Sequence, residues 1–455
     1  MAIFNAASMR SLTVMARHLN QKPLCRSVPL NLKTGGHLNL QGALTTKSLI
    51  HSDSQNLAST LDVIPPVSLR DQDSARPLRI LSLDGGGVRG LSSLIIFREF
   101  IARLEKEPGA TKPIIPADFF DLIIGTSTGG IMALLFGRLR MSVDEVLDMY
   151  QTLSKQVFHT GRISTAFHSC ATLLKDGVPS MYDESKLEKL IKQTIAKRIK
   201  DQDAEALLED LSPDSCRTAV VTARSADATR PILMRSYAVP RDADPEKFKI
   251  WEAARATSAA PLYFRPMKAG VYKATYLDGC VSSHCNPSWL AMQEAKQLWP
   301  KRKIGLFMSL GTGSPNKVAL QAPMRRFILG FIYLAANTVQ VHEMAWREFK
   351  RKYEVSPYVR LSVDHEISKI RLDDPSRLDN ITAATLTYLE VARTSHQIQR
   401  AVDLATGAKP SKLGPCNGPH EDEDEDDTLT SFSNVTSEGL SADLESIGES
   451  ASFRK

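Results

Sequence analysis

The chain has 455 residues, 42% hydrophobic and 24% charged, enough to fill one large core or two ordinary ones. Its net charge of +6 conceals the acidic run Glu421–Asp427, so the rest of the chain is more basic than the total implies. The longest apolar runs, Ile131–Phe136 and Phe327–Ala336, fall short of the ~20 residues that cross a bilayer, so no integral anchor is expected.

The first fifty residues contain no acid but carry Arg10, Arg17, Lys22, Arg26, Lys33 and Lys47. As a helix, Ile3–Leu19 would group Phe4, Leu12, Met15 and Leu19 opposite Arg10 and Arg17. That is the pattern of a mitochondrial transit peptide, and equally of a basic disordered tail. Leu61–Pro77, with three prolines, reads as a linker, which makes residues 1–77 an N-terminal segment. The body, 78–405, opens with a strand at Leu78–Leu83, a glycine loop at Asp84–Gly90 and a helix at Leu91–Glu105. A second strand, Phe119–Ile124, leads through Gly125–Gly130 into a helix from Ile131. Further on come a helix at Tyr182–Lys197, with Ser185 and Glu188 as a capping box, and a hairpin of Thr218–Ala223 with Ile232–Tyr237. Lys303–Leu310 is a strand closed by Gly311-Thr312-Gly313, and Met324–Tyr353 and Ile381–Ala405 read as helices. Residues 406–455 form an acidic, serine-rich tail expected to be disordered. Strands feeding helices in this way predict an α/β fold with a mostly parallel sheet. The basic clusters Lys301–Lys303 and Arg347–Lys352 read as solvated surface.

Three segments carry candidate chemistry. In Gly125-Thr126-Ser127-Thr128-Gly129, a strand-to-helix turn would expose the serine hydroxyl and direct a helix amino end toward it. Alone, such a pattern arises by chance on the order of 0.1 times in a chain this long, and its bland reading is a glycine turn. Gly85, Gly86 and Gly87 would bring backbone N–H groups to one point, as an oxyanion hole needs. The same stretch to Gly90 satisfies GxGxxG, with Glu105 and Glu107 downstream, so a dinucleotide site is a rival. Asp278, before Gly279, ends a short apolar stretch and would serve as a base if held dry, or form a simple turn. His284, His342, His365 and His396 all follow Ser127, which keeps open a Ser-His-Asp triad. The six cysteines include no CxxC pair. Cys280 and Cys285 come closest, and they read as reduced thiols of an intracellular protein with no metal site.

Taken in order, these segments resemble the patatin-like phospholipase family, with its DGGGxRG loop at Asp84–Gly90, GxSxG turn at Gly125–Gly129 and aspartate turn at Asp278-Gly279. Ala254–Pro261 and Ser309–Gly313 also look like the family. The resemblance covers about Leu78 to Ser314, more weakly to Ala405. It outweighs the dinucleotide reading, where Asp84 would repel a pyrophosphate.

The resemblance implies a three-layer α/β/α sandwich and a Ser127–Asp278 dyad without histidine. It implies oxyanion donors at Gly86 and Gly87, with Arg89 supporting the loop, and no metal or cofactor. The implied substrate is a lipid ester, phospholipid foremost, met at a peripheral membrane surface, with no nucleic-acid partner and an intracellular location. The chain departs from the pattern twice. Cys280 stands where Gly or Ala is usual, and Cys285-Asn286-Pro287 where Asn-Asn-Pro is frequent. An inactive lipid-binding relative is the other reading.

Overall fold

The structure, a computed structural model, describes residues 76–408 apart from 111, 159–168, 170–179, 240–245, 314–337 and 364–365. The transit-like start, nearly all of the linker and the acidic tail lie outside the described residues.

Among the described residues eight strands form one sheet: β1 (Leu78–Leu83), β2 (Leu122–Thr126), β3 (Arg217–Arg224), β4 (Asp227–Arg235), β5 (Met267–Ala269), β6 (Ala274–Asp278), β7 (Ile304–Leu310) and β8 (Tyr358–Leu361). Their order is β5-β6-β3-β2-β1-β7-β8, with β4 paired to β3. From β3 to β8 the neighbours are parallel, whereas β4, β5 and β6 add antiparallel pairings. Nine α-helices of six or more residues accompany it among the described residues: α1 (Gly90–Leu104), α2 (Thr128–Ala133), α3 (Val143–Phe158), α4 (Glu184–Arg198), α5 (Ile250–Thr257), α6 (Ser288–Leu298), α7 (Thr338–Lys352), α8 (Leu378–Glu390) and α9 (Ala392–Thr406).

The strands are apolar on both faces because both are covered. Leu81, Ile123, Val220 and Met308 enter one core with Leu94 of α1, Val146 of α3, Ala253 of α5 and Ile398 of α9. Ile80, Ile124, Val221 and Phe307 enter the other with Met292 of α6 and Phe349 of α7. This is the α/β/α layering expected, with a mixed and mostly parallel sheet.

Local differences have local causes. The second strand starts at Leu122 rather than Phe119, because Pro116 at a first helical position opens a short helix, Pro116–Phe119. The α4 cap is Asp183, whose carboxylate accepts the Ser185 N–H at 3.0 Å, so the expected Ser185 box does not form. The expected helix Ile381–Ala405 is two helices, broken by the single extended residue Val391 (φ −64°, ψ 126°). One extended residue interrupts the backbone without disturbing the apolar spacing, so periodicity does not reveal it. Of Met324–Tyr353, only 338–353 lies within the described residues, and α7 occupies most of it.

Candidate active site

One edge of β3 brings the site together. β4 occupies the opposite edge, so β2 and β6 share this one end to end. Thr126 of β2 sits opposite Val221, and Asp278 of β6 sits opposite the next residue, Thr222. The two strands run toward each other and stop face to face. Ser127 follows the end of one, and Asp278 ends the other.

Ser127 has φ 56° and ψ −125°, a conformation that a side-chain-bearing residue rarely adopts. Its N–H donates to Thr257 Oγ1 at 2.9 Å, and that hydroxyl donates to Val221 O at 2.6 Å, which holds the turn. The flanking glycines are required by close approach. A Cβ on Gly125 would lie 2.1 Å from Gly129 O, and one on Gly129 would lie 2.3 Å from Leu83 O. Helix α2 begins at once at Thr128, with its amino end beside the serine.

Asp278 is 2% exposed. Its Oδ1 accepts the Cys280 N–H at 2.9 Å. Burial pushes the carboxyl up to about 7, against hydrogen bonds from the Ser127 hydroxyl and the Cys280 N–H that pull it down. A carboxylate that reclaims a proton near neutrality is suited to general-base work on a hydroxyl.

The glycine loop is braced from several directions. Asp84, fully buried, is held by a bidentate ion pair with Arg360 at 3.0 and 2.5 Å, and Arg360 also donates to Ser309 Oγ. The Gly85 N–H donates to Cys285 O at 2.9 Å. The Gly86 N–H donates to Thr128 Oγ1 at 3.2 Å, while the Gly87 N–H has no acceptor among the described residues. Gly87 sits at φ 54°, and its carbonyl accepts the Tyr150 hydroxyl. Arg89 is buried and donates to Ile370 O and Ser368 O, both at 2.7 Å, while the Val88 N–H donates to Leu372 O at 2.8 Å. The Arg89 guanidinium thus ties the loop to the segment Ser368–Ile370 behind it. The candidate donors are Gly87, unengaged, and Gly86, held by a hydroxyl that can rotate.

Ser127 and Asp278 open into a pocket walled by Ile131, Leu153, Val157, Phe158, Leu187 and Phe264. None of His284, His342 and His396 lines it, and His365 lies outside the described residues. The His284 ring turns to Ser282, and His342 pairs with the Tyr358 hydroxyl at 3.0 Å. The cysteine expectation is corrected. Cys280 and Cys285 are joined in a disulfide, because the one-turn helix Gly279–Ser282 folds the chain back and brings their Cα atoms to 4.2 Å. Tyr150, Arg360 and the segment Ser368–Leu372 escaped sequence reading, having no motif of their own.

A hydroxyl on a strained strand-to-helix turn, a buried carboxyl facing it and a glycine loop beside both define a serine–aspartate site on an α/β sandwich. The family model described as Patatin-like phospholipase matches residues 81–287, and this segment is similar to that family. Phospholipase A I of Arabidopsis thaliana is 29% identical over 291 residues, covering 53% of this chain and 21% of that protein. Calcium-independent phospholipase A2-gamma of Rattus norvegicus is 27% identical over 296 residues, covering 63% of this chain and 35% of that protein. This chain thus spans only a minor part of either relative. The cGAMP-activated phospholipase of Vibrio cholerae is 28% identical over 333 residues, covering 69% of this chain and 88% of that protein.

Proposed function

We propose that this protein is a lipid acyl hydrolase that cleaves fatty-acyl esters, phospholipids foremost, through an acyl-serine. The relatives above are named phospholipases, which are carboxylic ester hydrolases. The observation that carries the mechanism is the Asp278 carboxyl, raised to about 7 by burial and hydrogen-bonded to Ser127.

Asp278 takes the Ser127 proton as Oγ attacks the acyl carbonyl. The negative charge that develops on the carbonyl oxygen is met by the Gly87 N–H, and by the Gly86 N–H once the Thr128 hydroxyl releases it. The ester C–O bond breaks and Asp278 returns the proton to the departing alcohol. Asp278 then deprotonates a water that attacks the acyl-serine, and a fatty acid leaves. The apolar wall from Ile131 to Phe264 takes the acyl chain.

Purified Ser127→Ala and Asp278→Asn proteins should fold and lose at least about a thousandfold in hydrolysis of a long-chain phospholipid. A fluorophosphonate should label Ser127 in the wild type. Undiminished turnover in either variant would overturn the dyad.

A further inference from the structure

The β5–β6 hairpin continues the sheet beyond the site. β6 runs antiparallel to β3, so going back from Asp278 toward Ala274 carries the chain past the C-terminal end of β3, where Arg224 faces Tyr276. Those four residues rise about 13 Å above the level of Ser127 and Asp278. The hairpin tip therefore projects from the edge of the sheet at which Ser127 stands.

The tip is a tight turn in which the Lys273 N–H donates to Gly270 O. Its two central residues are Val271, 72% exposed, and Tyr272, 82% exposed. Such positions ordinarily take Asn, Asp, Ser or Gly, and a β-branched residue followed by an aromatic is a poor choice for the turn itself. Neither side chain packs on the core, so folding does not explain them. The exposed charges around them are mostly basic, and exposed Asp227, in register with Arg224, lies 3.8 Å from Arg230. Lys268 and Lys273 are exposed, and Arg224 is half exposed. The acids facing the hairpin are largely buried and engaged: Glu246 bonds the Tyr276 hydroxyl at 2.9 Å and lies 3.6 Å from Arg224, and Glu252 lies 3.7 Å from Lys273. Lys268 has no ion-pair partner among the described residues.

We propose that the Gly270–Lys273 turn is an interfacial anchor. Val271 and Tyr272 enter the headgroup region of a phospholipid bilayer, and Lys268, Lys273 and Arg224 meet its anionic headgroups. A tyrosine is at home at that depth, where one end of its ring is apolar and the other wet, and each nearby lysine gains from a negative surface. The inference rests on the lipid hydrolase reading for its biological sense. Its geometry does not, because the anchor is separate from the Ser127 pocket.

The test is co-sedimentation of the full chain, in a Ser127→Ala background, with vesicles of phosphatidylcholine and phosphatidylserine. Val271→Ser with Tyr272→Ser should weaken partitioning by about tenfold or more, from the lost apolar insertion. Val271→Trp should strengthen it, and Lys268→Glu with Lys273→Glu should remove the dependence on phosphatidylserine. With Ser127 intact, the Val271/Tyr272 variant should hydrolyse a water-soluble short-chain ester at the wild-type rate and vesicle phospholipid more slowly. Failure of the wild type on the soluble ester would count against the hydrolase reading while leaving the binding measurements interpretable. Unchanged partitioning in both the serine and tryptophan variants would overturn the anchor. So would a concentration-dependent dimer lost in the serine variant while its vesicle binding persists.

Discussion

Cys280 and Cys285 are bonded to each other, and each touches a different half of the site. The Cys280 N–H donates to the Asp278 carboxylate, and the Cys285 carbonyl accepts the Gly85 N–H, both at 2.9 Å. A Cβ on Gly85 would lie 2.9 Å from one sulfur and 3.1 Å from the other, so the pair fills the space between base and glycine loop. The two positions at which the chain departs from the pattern it resembles are thus a single substitution in structural terms.

Reduction of that bond should lower turnover. Two thiols need more room than a bonded pair, and the neighbouring atoms are Gly85 and the Asp278 turn. A displacement near 1 Å at reacting groups costs on the order of a hundredfold, so dithiothreitol should reduce kcat by tenfold or more with little change in KM. A Cys280→Ser, Cys285→Ser protein should not respond to reductant. Equal kcat before and after thiol titration confirms complete reduction would contradict the linkage.

Asp278 sets the pH response in two opposed ways. Activity requires its carboxylate, so kcat/KM should climb with unit slope and level off near pH 7. Stability runs the other way. Between the ordinary value of 3.8 and about 7, the folded protein holds a proton that the unfolded chain has released, so stability falls as pH rises through that window. Asp278→Asn should therefore raise stability above pH 7 by on the order of a few kcal/mol, with the advantage gone by about pH 4. Denaturant melts at pH 4 and 8 check it, and equal differences at both would contradict it.

Removing Arg360 should damage the fold more than its modest exposure implies. Arg360→Met removes the ion pair from the buried Asp84 carboxylate, a loss of roughly 3–5 kcal/mol. Adding Asp84→Asn should recover part of that stability. A double variant no more stable than Arg360→Met alone would show that the pair does not account for the loss.

Tyr150→Phe should separate binding from chemistry. It removes the hydroxyl that donates to Gly87 O and leaves that carbonyl with the Gly90 N–H alone. The expected result is a fall in kcat of about tenfold with KM unchanged. A changed KM with constant kcat would place Tyr150 in substrate binding instead.

Much of this was legible in the chain because local rules govern it. Leu78–Leu83 and Thr218–Ala223 are short apolar runs ended by turn residues, and the glycines of the Ser127 turn mark places where two backbones touch. The Asp84–Gly90 loop pointed to the site, but its supports did not appear with it. Arg360 lies 276 positions from Asp84, and neither residue's neighbours signal the other. Cys280 and Cys285 carry no pairing signal of their own, because only the Gly279–Ser282 turn brings their Cα atoms to 4.2 Å. Helix α3 went unread, and with it Leu153, Val157 and Phe158, half of the apolar wall.

The strap of carbonyls behind Arg89 also bears on what counts as a folding unit. The matched segment closes at residue 287, whereas β7, β8, Thr312, Arg360 and Ser368–Leu372 all follow it. A fragment cut at that boundary would keep Ser127 and Asp278. It would also uncover the whole edge of β1, break the Asp84–Arg360 ion pair and release the loop from Ile370 and Leu372. The family model therefore ends sooner than physical autonomy does, and an expression boundary set at its edge would yield an aggregating half-sheet.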